Sequence, residues 1–279
     1  MNDILVVKAD GTKEPFEEKK LRRSLQKASV TPDIEDKIVK EVLREFSGAI
    51  TTTSDIYKKA FSTLRRLSRH AAAKYSLKRA VLDLGPSGFP FEHFLGEIFH
   101  ARGYKVEIGL DLKGGCATHE VDVVASKSGE VLAIEAKFHN SLGFKTDMKV
   151  LLYVTARMDD LAKSNFAGKA SGDTVGRGMI ITNTNFTTHA VRYAECAGTE
   201  AISWNYPRRG NLHDLIEESG LHPLTCLTTL SKKEKKVLLD KGIVLCKVLH
   251  KNIRTLENLG MSLKKIDGVL DEASKLCEA

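Results

Sequence analysis

One stretch limits what the chain can fold into more than any other: Gly129-Glu130-Val131-Leu132-Ala133-Ile134-Glu135-Ala136-Lys137. Val131 to Ile134 are all apolar, the pattern of a strand buried on both faces. Successive strand side chains point to opposite faces, so Glu135 and Lys137 share one. A second strand pattern, His119-Glu120-Val121-Asp122-Val123-Val124-Ala125-Ser126, lies just upstream. Lys127-Ser128-Gly129-Glu130 between them is a hairpin signal. With Ser128-Gly129 as a two-residue loop, Lys127 opposes Glu130 and Asp122 falls opposite Glu135. Directly opposed residues have Cβ atoms about 5 Å apart, and like charges there destabilise the pair. Two readings follow. In the plainer one, Glu135 and Lys137 form a surface ion pair where the strand leaves the core. In the other, a divalent cation sits between the carboxylates. Mg²⁺ prefers one or two carboxylates together with water and phosphate oxygens, and Lys137 then orients or activates a water, or holds a phosphate.

This set of residues resembles the PD-(D/E)XK nuclease superfamily. Asp122 matches the Asp, and Glu135-Ala136-Lys137 matches the (Glu/Asp)-x-Lys. Phe89 to Tyr104 reads as a helix closed by Gly103. It resembles the first helix of the Mrr-like restriction endonucleases, whose Phe-Glu pair matches Phe91-Glu92. The resemblance implies a metal-dependent DNA endonuclease of restriction type. Asp122 and Glu135 would hold Mg²⁺ with the Ala136 carbonyl as a third ligand. Lys137 would position the attacking water, and Glu92 would assist. The plain alternative for Glu92 is a turn of helix surface. A rival in another class keeps the fold without cleaving, as a nucleotide-responsive DNA-binding regulator; the intact Asp…Glu-x-Lys set favours the enzyme.

Strand and helix patterns alternate through this region, predicting an α/β core with a mixed sheet covered by helices on both faces. Thr146 to Ala162 reads as a helix, with Val150, Tyr153, Val154, Met158 and Leu161 spaced for burial. Lys149 and Arg157 lie off that stripe, toward DNA or solvent. Arg177 to Asn183 and Ala201 to Trp204 read as strands around a helix from Phe186 to Cys196. Lys113-Gly114-Gly115-Cys116 is a loop where a bound backbone could approach. His139 is either a phosphate contact or a polar strand end, and Trp204 reads as packing.

The N-terminal third has a different grammar. Ile4 to Lys8 reads as a strand, Asp10-Gly11 as a hairpin turn, and a short second strand ends near Phe16. Four helical stretches follow. They are Glu17 to Ala28, a second opened by Pro32 and ended by Gly48, a third capped by Thr53-Ser54-Asp55, and a fourth from Ala71 to Leu84. A hairpin and four helices opened by Val7-Lys8-Ala9-Asp10-Gly11 resemble the ATP-cone, a nucleotide-sensing module. The matching residues are Lys8, Asp10, Gly11, Glu14, Phe16 and Lys20, then Thr53 to Ile56, then Tyr75 and Arg79. Ala9 stands where the family has Arg, and Tyr57 where some members have His. The resemblance implies ATP or dATP as a regulatory ligand, held by Lys8, Asp10, Gly11, Glu14, Lys20 and Thr53. Ammonium groups beside a turn and a helix start suit phosphates. No Gly-x-x-x-x-Gly-Lys-(Ser/Thr) loop is present, so sensing rather than P-loop hydrolysis is expected.

The C-terminal segment reads as small and helical. Ser231-Lys232-Lys233-Glu234 opens one helix, turns follow at Gly242 and Gly260, and Leu263 to Leu276 forms another. The pattern resembles a helix-hairpin-helix, whose turn N–H groups hold phosphates without reading sequence; a packing or dimerisation element is the alternative. Gly85-Pro86-Ser87-Gly88 is a linker signal. The expected layout is therefore multidomain α+β and α/β: an ATP-cone at residues 1–85, a nuclease domain at 86–221 and a helical domain at 222–279.

Composition narrows the setting. A chain of 279 residues has room for two or three domains. It carries no apolar run long enough to span a membrane, which takes about 18–20 residues. Met1-Asn2-Asp3 lacks the layout of a leader. Cys116, Cys196, Cys226, Cys246 and Cys277 are scattered without a Cys-x-x-Cys pair, which argues against a disulfide framework or a zinc site. A cytoplasmic protein is expected, with DNA and a nucleotide as partners, no membrane partner, and a homodimer as the assembly. The net charge of +7 suits nucleic acid without requiring it.

Overall fold

In a computed structural model of the chain, the described residues are 4–163 and 175–277. Met1-Asn2-Asp3, on which the leader reading rests, lies outside them. Two compact units emerge from the packing. One comprises Met1–Ala80, Leu224–Leu238 and Cys246–Ala279, the other Val81–Pro223 and Leu239–Leu245.

The first unit opens with strands β1 (Leu5–Val7) and β2 (Lys13–Pro15), then helices α1 (Glu18–Lys27) and α2 (Pro32–Phe46). A strand that the sequence patterns do not suggest, β3 (Ile50–Thr52), pairs parallel to β1, making a sheet of order β2-β1-β3. It is short and its Ile50 is exposed, so it carries little hydrophobic periodicity. Helices α3 (Thr53–Leu67), α4 (Arg69–Tyr75) and α5 (Leu77–Leu82) follow. Thr52 caps α3, accepting the Asp55 N–H, one residue earlier than Thr53-Ser54-Asp55 suggests. The expected single helix from Ala71 to Leu84 is two. Ser76 divides them, its hydroxyl donating back to the Ala73 carbonyl, a bond that competes with helix continuation. The core gathers Val6, Leu21, Leu25, Ile38, Val42, Ala60 and Leu64.

The second unit begins with α6 (Phe89–Ala101) and a five-stranded mixed sheet. Its strands are β4 (Lys105–Lys113), β5 (Thr118–Lys127), β6 (Glu130–Lys137), β8 (Val175–Thr182) and β10 (Glu200–Ile202). The order is β10-β8-β6-β5-β4, antiparallel from β4 to β6 and parallel from β6 to β10. Short β7 (Lys145–Thr146) and β9 (Asn185–Phe186) pair with each other. Helices α7 (Met148–Ala162), α8 (Thr188–Ala197) and α9 (Leu212–Ser219) complete the unit. Leu151, Val154 and Leu161 of α7 and Ala190 and Ala194 of α8 pack with Val131 and Ala133 of β6. Gly96 lets α6 settle on β4, because a Cβ there would meet Ile108 Cδ1 at 2.8 Å. Tyr153, expected in the buried stripe of α7, is exposed.

The remaining helices are α10 (Lys232–Asp240), α11 (Ile253–Asn258) and α12 (Leu263–Cys277). Within the first unit, α12 packs against α4 and the Thr225 hydroxyl donates to the Ala80 carbonyl at 2.6 Å. Glu272 of α12 is buried, and its carboxylate accepts four hydrogen bonds, from the N–H and hydroxyl of both Thr228 and Thr229.

Candidate functional site

The hairpin joining β5 to β6 has the register its sequence implies. Lys127 opposes Glu130, and Ser128 and Gly129 both have positive φ, 53° and 85°. That is the backbone a two-residue turn of matching twist requires. The ladder runs as far as Val123 opposite Ile134 and then opens. There the Asp122 carboxylate accepts the Ala136 N–H at 2.7 Å. Side-chain alternation continues the face of Val131 and Ala133 into Glu135 and Lys137.

Asp122, Glu135 and Lys137 thus converge where the paired strands part, and Glu92 in the first turn of α6 lies within their field. Burial pushes the Glu92 carboxyl up to about 7, with the charges of Asp122, Glu120 and Glu135 adding to it. Burial also raises Asp122, partly offset by the Ala136 N–H and by Arg157. Glu135 is raised by burial and then by Asp122. Burial raises both half-buried carboxylates and the charge of Asp122 raises Glu135 further, an arrangement that calls for a cation.

Part of that need is met by a residue whose helical spacing points elsewhere. Arg157 of α7 donates to Glu135 Oε2 at 2.5 Å and to the Glu120 carbonyl at 3.0 Å, and to the Tyr153 hydroxyl at 2.6 Å. The two side chains of the Arg157–Glu135 pair are 12% and 16% exposed. This excludes the reading of Glu135 as half of a surface ion pair with Lys137, and corrects the placement of Arg157 toward DNA or solvent. A charged residue off the buried stripe is the only trace of this in the sequence. Its target depends on how α7 crosses the sheet.

Two neighbouring loops have local partners. Gly114 and Gly115 serve packing: a Cβ at Gly114 would lie 2.2 Å from Asp160 Oδ2. Asp160 gathers the N–H groups of Cys116 and Ala117 and the His119 ring. His139 bonds through Nε2 to the Thr146 hydroxyl at 3.0 Å, and its ring lies against Phe144, so it is occupied locally. Trp204 is buried, as a packing residue should be.

Oxygen donors at Asp122 and Glu135, with the Ala136 carbonyl beside them, are the set a hard cation such as Mg²⁺ takes. Among the described residues no three His, Cys, Asp or Glu side chains form a metal-holding group. Any ion here would therefore complete its shell with backbone, water or substrate oxygens.

In the first unit the hairpin brings the expected nucleotide residues together. Glu14 sits between Lys8 at 2.6 Å and Lys20 at 3.1 Å. Asp10 accepts the Thr12 N–H and hydroxyl, tightening the turn, and Gly11 follows at φ 82°. Val7 opposes Thr52, so Lys8 and Thr53 leave neighbouring parallel strands at the same end. The Arg79 guanidinium lies 3.7 Å from the centre of the Tyr57 ring, which stacks on Tyr75.

Fold and site together describe a restriction-endonuclease-type domain preceded by an ATP cone. The ATP cone domain family matches residues 4–82, and the restriction endonuclease family of Mrr catalytic domains matches 85–203. The family described as AF1548-like, C-terminal, matches 222–277. An uncharacterized protein of Archaeoglobus fulgidus is 32% identical over 183 residues, covering 65% of this chain and 99% of the relative. The crystal structure of a protein of unknown function, AF1548, aligns with TM-score 0.54 at 30% identity, covering 69% of this chain and 99% of that one. The chain belongs to this AF1548-like family of Mrr-type proteins, here carrying an ATP cone. No helix among the described residues is long and apolar enough to cross a membrane.

Proposed function

We propose that the chain is a Mg²⁺-dependent DNA endonuclease that hydrolyses phosphodiester bonds and is tuned by ATP or dATP on the N-terminal hairpin. The observation that carries this reading is the convergence of Asp122, Glu135 and Lys137 where β5 and β6 part. In this reading Asp122, Glu135 and the Ala136 carbonyl hold the ion. A bound Mg²⁺ lowers the pKa of its water and neutralises charge on the phosphate. Lys137, on the face of Glu135, holds the attacking water or a phosphate oxygen. Glu92, with its raised pKa, exchanges a proton near neutral pH. Lys8 and Lys20 hold nucleotide phosphates once Glu14 yields them. The five free cysteines suit a reducing cytoplasm.

The test is cleavage of supercoiled DNA with and without Mg²⁺. Asp122→Ala and Lys137→Ala are each expected to lower the rate by about 10²–10³-fold or more, on the scale of losing one preorganised charge-stabilising group, with unchanged circular dichroism. Wild-type cleavage by either variant, with the same Mg²⁺ dependence, would overturn the assignment. The guanidinium of Arg157 on Glu135 favours a second reading, a DNA-binding regulator that does not cleave. In that case the wild-type chain binds DNA and leaves it intact under every metal tried.

A further inference from the structure

A cavity of the first unit contains none of the residues assigned above. It measures about 690 Å³ and is lined by Ser62, Arg65, Arg66 and Arg69 from α3 and α4, Thr228 and Thr229, and Lys264, Lys265 and Gly268 of α12. Five of these are cations and none is a carboxylate. Arg66 pairs with Glu41 at 2.9 Å and Lys265 with Glu234 at 2.6 Å. Arg65, Arg69 and Lys264 are exposed and make no ion pair among the described residues. The nearest buried acid, Glu272, has both oxygens committed to Thr228 and Thr229.

Two local rules are broken at this wall. Lys264 and Lys265 occupy the first turn of α12, which holds no acidic residue, so their charge adds to the positive end of the helix dipole. Gly268 lies inside α12, where a glycine costs stability, yet a Cβ there would meet nothing within 4 Å. Packing therefore does not require the glycine, and its absent side chain keeps the wall open. Departures from local preference that packing leaves unexplained are where function is expected.

We infer that this cavity is a second anion site that grips successive phosphates of a DNA backbone without reading sequence. The choice of DNA rests on the nuclease reading. The chemistry of the wall supports a backbone rather than a nucleotide. Its side chains are cationic or hydroxyl, and no aromatic ring is offered for a base to stack on. The turns at Gly242 and Gly260, which the sequence pattern nominates for phosphate, do not line it.

The experiment measures binding of the full chain to a labelled duplex by fluorescence anisotropy in EDTA, across a salt series and with unrelated sequences. The variant Arg65→Ala/Arg69→Ala/Lys264→Ala removes the three cations without orphaning a carboxylate. It should weaken binding equally for all sequences and reduce the slope of log affinity against log salt by about 0.9 per lost contact. Gly268→Glu, placed in open space, should weaken binding while leaving the melting temperature close to wild type. A wild-type salt slope in the triple variant overturns the inference. So does loss of tripolyphosphate binding by calorimetry with DNA binding intact, which would make the site one for a small polyphosphate. Cleavage assays on the same preparations separate the two readings. Cleavage with a wild-type salt slope in the triple variant removes this inference alone. Binding through these residues with no cleavage under any metal removes only the nuclease reading.

Discussion

Glu92 shows how one side chain can report on the whole site. Its folded pKa rises from the ordinary 4.5 to about 7 because burial and three neighbouring carboxylates disfavour the charged form. Between those values the folded chain holds a proton that the unfolded chain releases. Stability from this group is present below the ordinary value and is lost as pH rises through about 7. Glu92→Gln, which never ionises, should therefore raise the melting temperature of metal-free protein above pH 7 and change it little below pH 4.5. Melts of both proteins across that range check it; equal effects at both ends would mean that neither burial nor the neighbouring charges raise Glu92. Asp122 and Lys137 are legible in the amino-acid sequence, because a two-residue turn fixes register and register fixes which side chains meet. Arg157 is not, since its contact with Glu135 joins residues 22 positions apart through helix–sheet packing.

At the scale of elements, α6 and α12 have opposite needs. Phe94 of α6 is fully buried. Phe94→Ala should cost about 3–5 kcal/mol, the range for removing a buried aromatic ring, read as a shift in the denaturation midpoint at constant slope. α12 has slack at Gly268. Gly268→Ala should stabilise the protein by about 0.5–1 kcal/mol, because alanine loses less backbone freedom on entering a helix. A loss of stability would show that the cavity wall is tighter than its geometry indicates. The split of the expected fourth helix at Ser76 belongs here as well. Alanines on both sides favour helix, and the division falls at the one residue whose hydroxyl bonds back to the Ala73 carbonyl.

Across the whole molecule, chain order and compact units differ. The family matches run consecutively as ATP cone, nuclease domain and C-terminal domain. The packing instead gathers Leu224–Leu238 and Cys246–Ala279 with Met1–Ala80. Ending the chain before His222 would remove α12 from α4 and the Thr225 bond to Ala80. The truncated protein should melt at a lower temperature, with the larger loss in signals from the first unit, which gives up Leu224–Leu238 and Cys246–Ala279. Unchanged melting would mean that those contacts contribute nothing to its stability. Nucleotide binding by the full chain should weaken in Lys8→Ala/Lys20→Ala. Titration calorimetry with ATP and dATP measures this, and unchanged affinity would move the nucleotide away from the hairpin.

The sequence by itself determined the features that depend on near neighbours. Turn chemistry at Ser128-Gly129 and alternation along β6 placed Asp122, Glu135 and Lys137 at one strand end. Helical spacing and punctuation located most of the helices, and the Lys8 to Lys20 run marked the ATP-cone hairpin. Only the tertiary structure decided what depends on elements distant in the chain. It brought Arg157 onto Glu135, gave Gly114 to Asp160, paired β3 with β1, and walled a cationic cavity from α3, α4 and α12. The reason is physical. Local backbone preferences act over a few residues, whereas burial and charge pairing act between surfaces that the fold brings together.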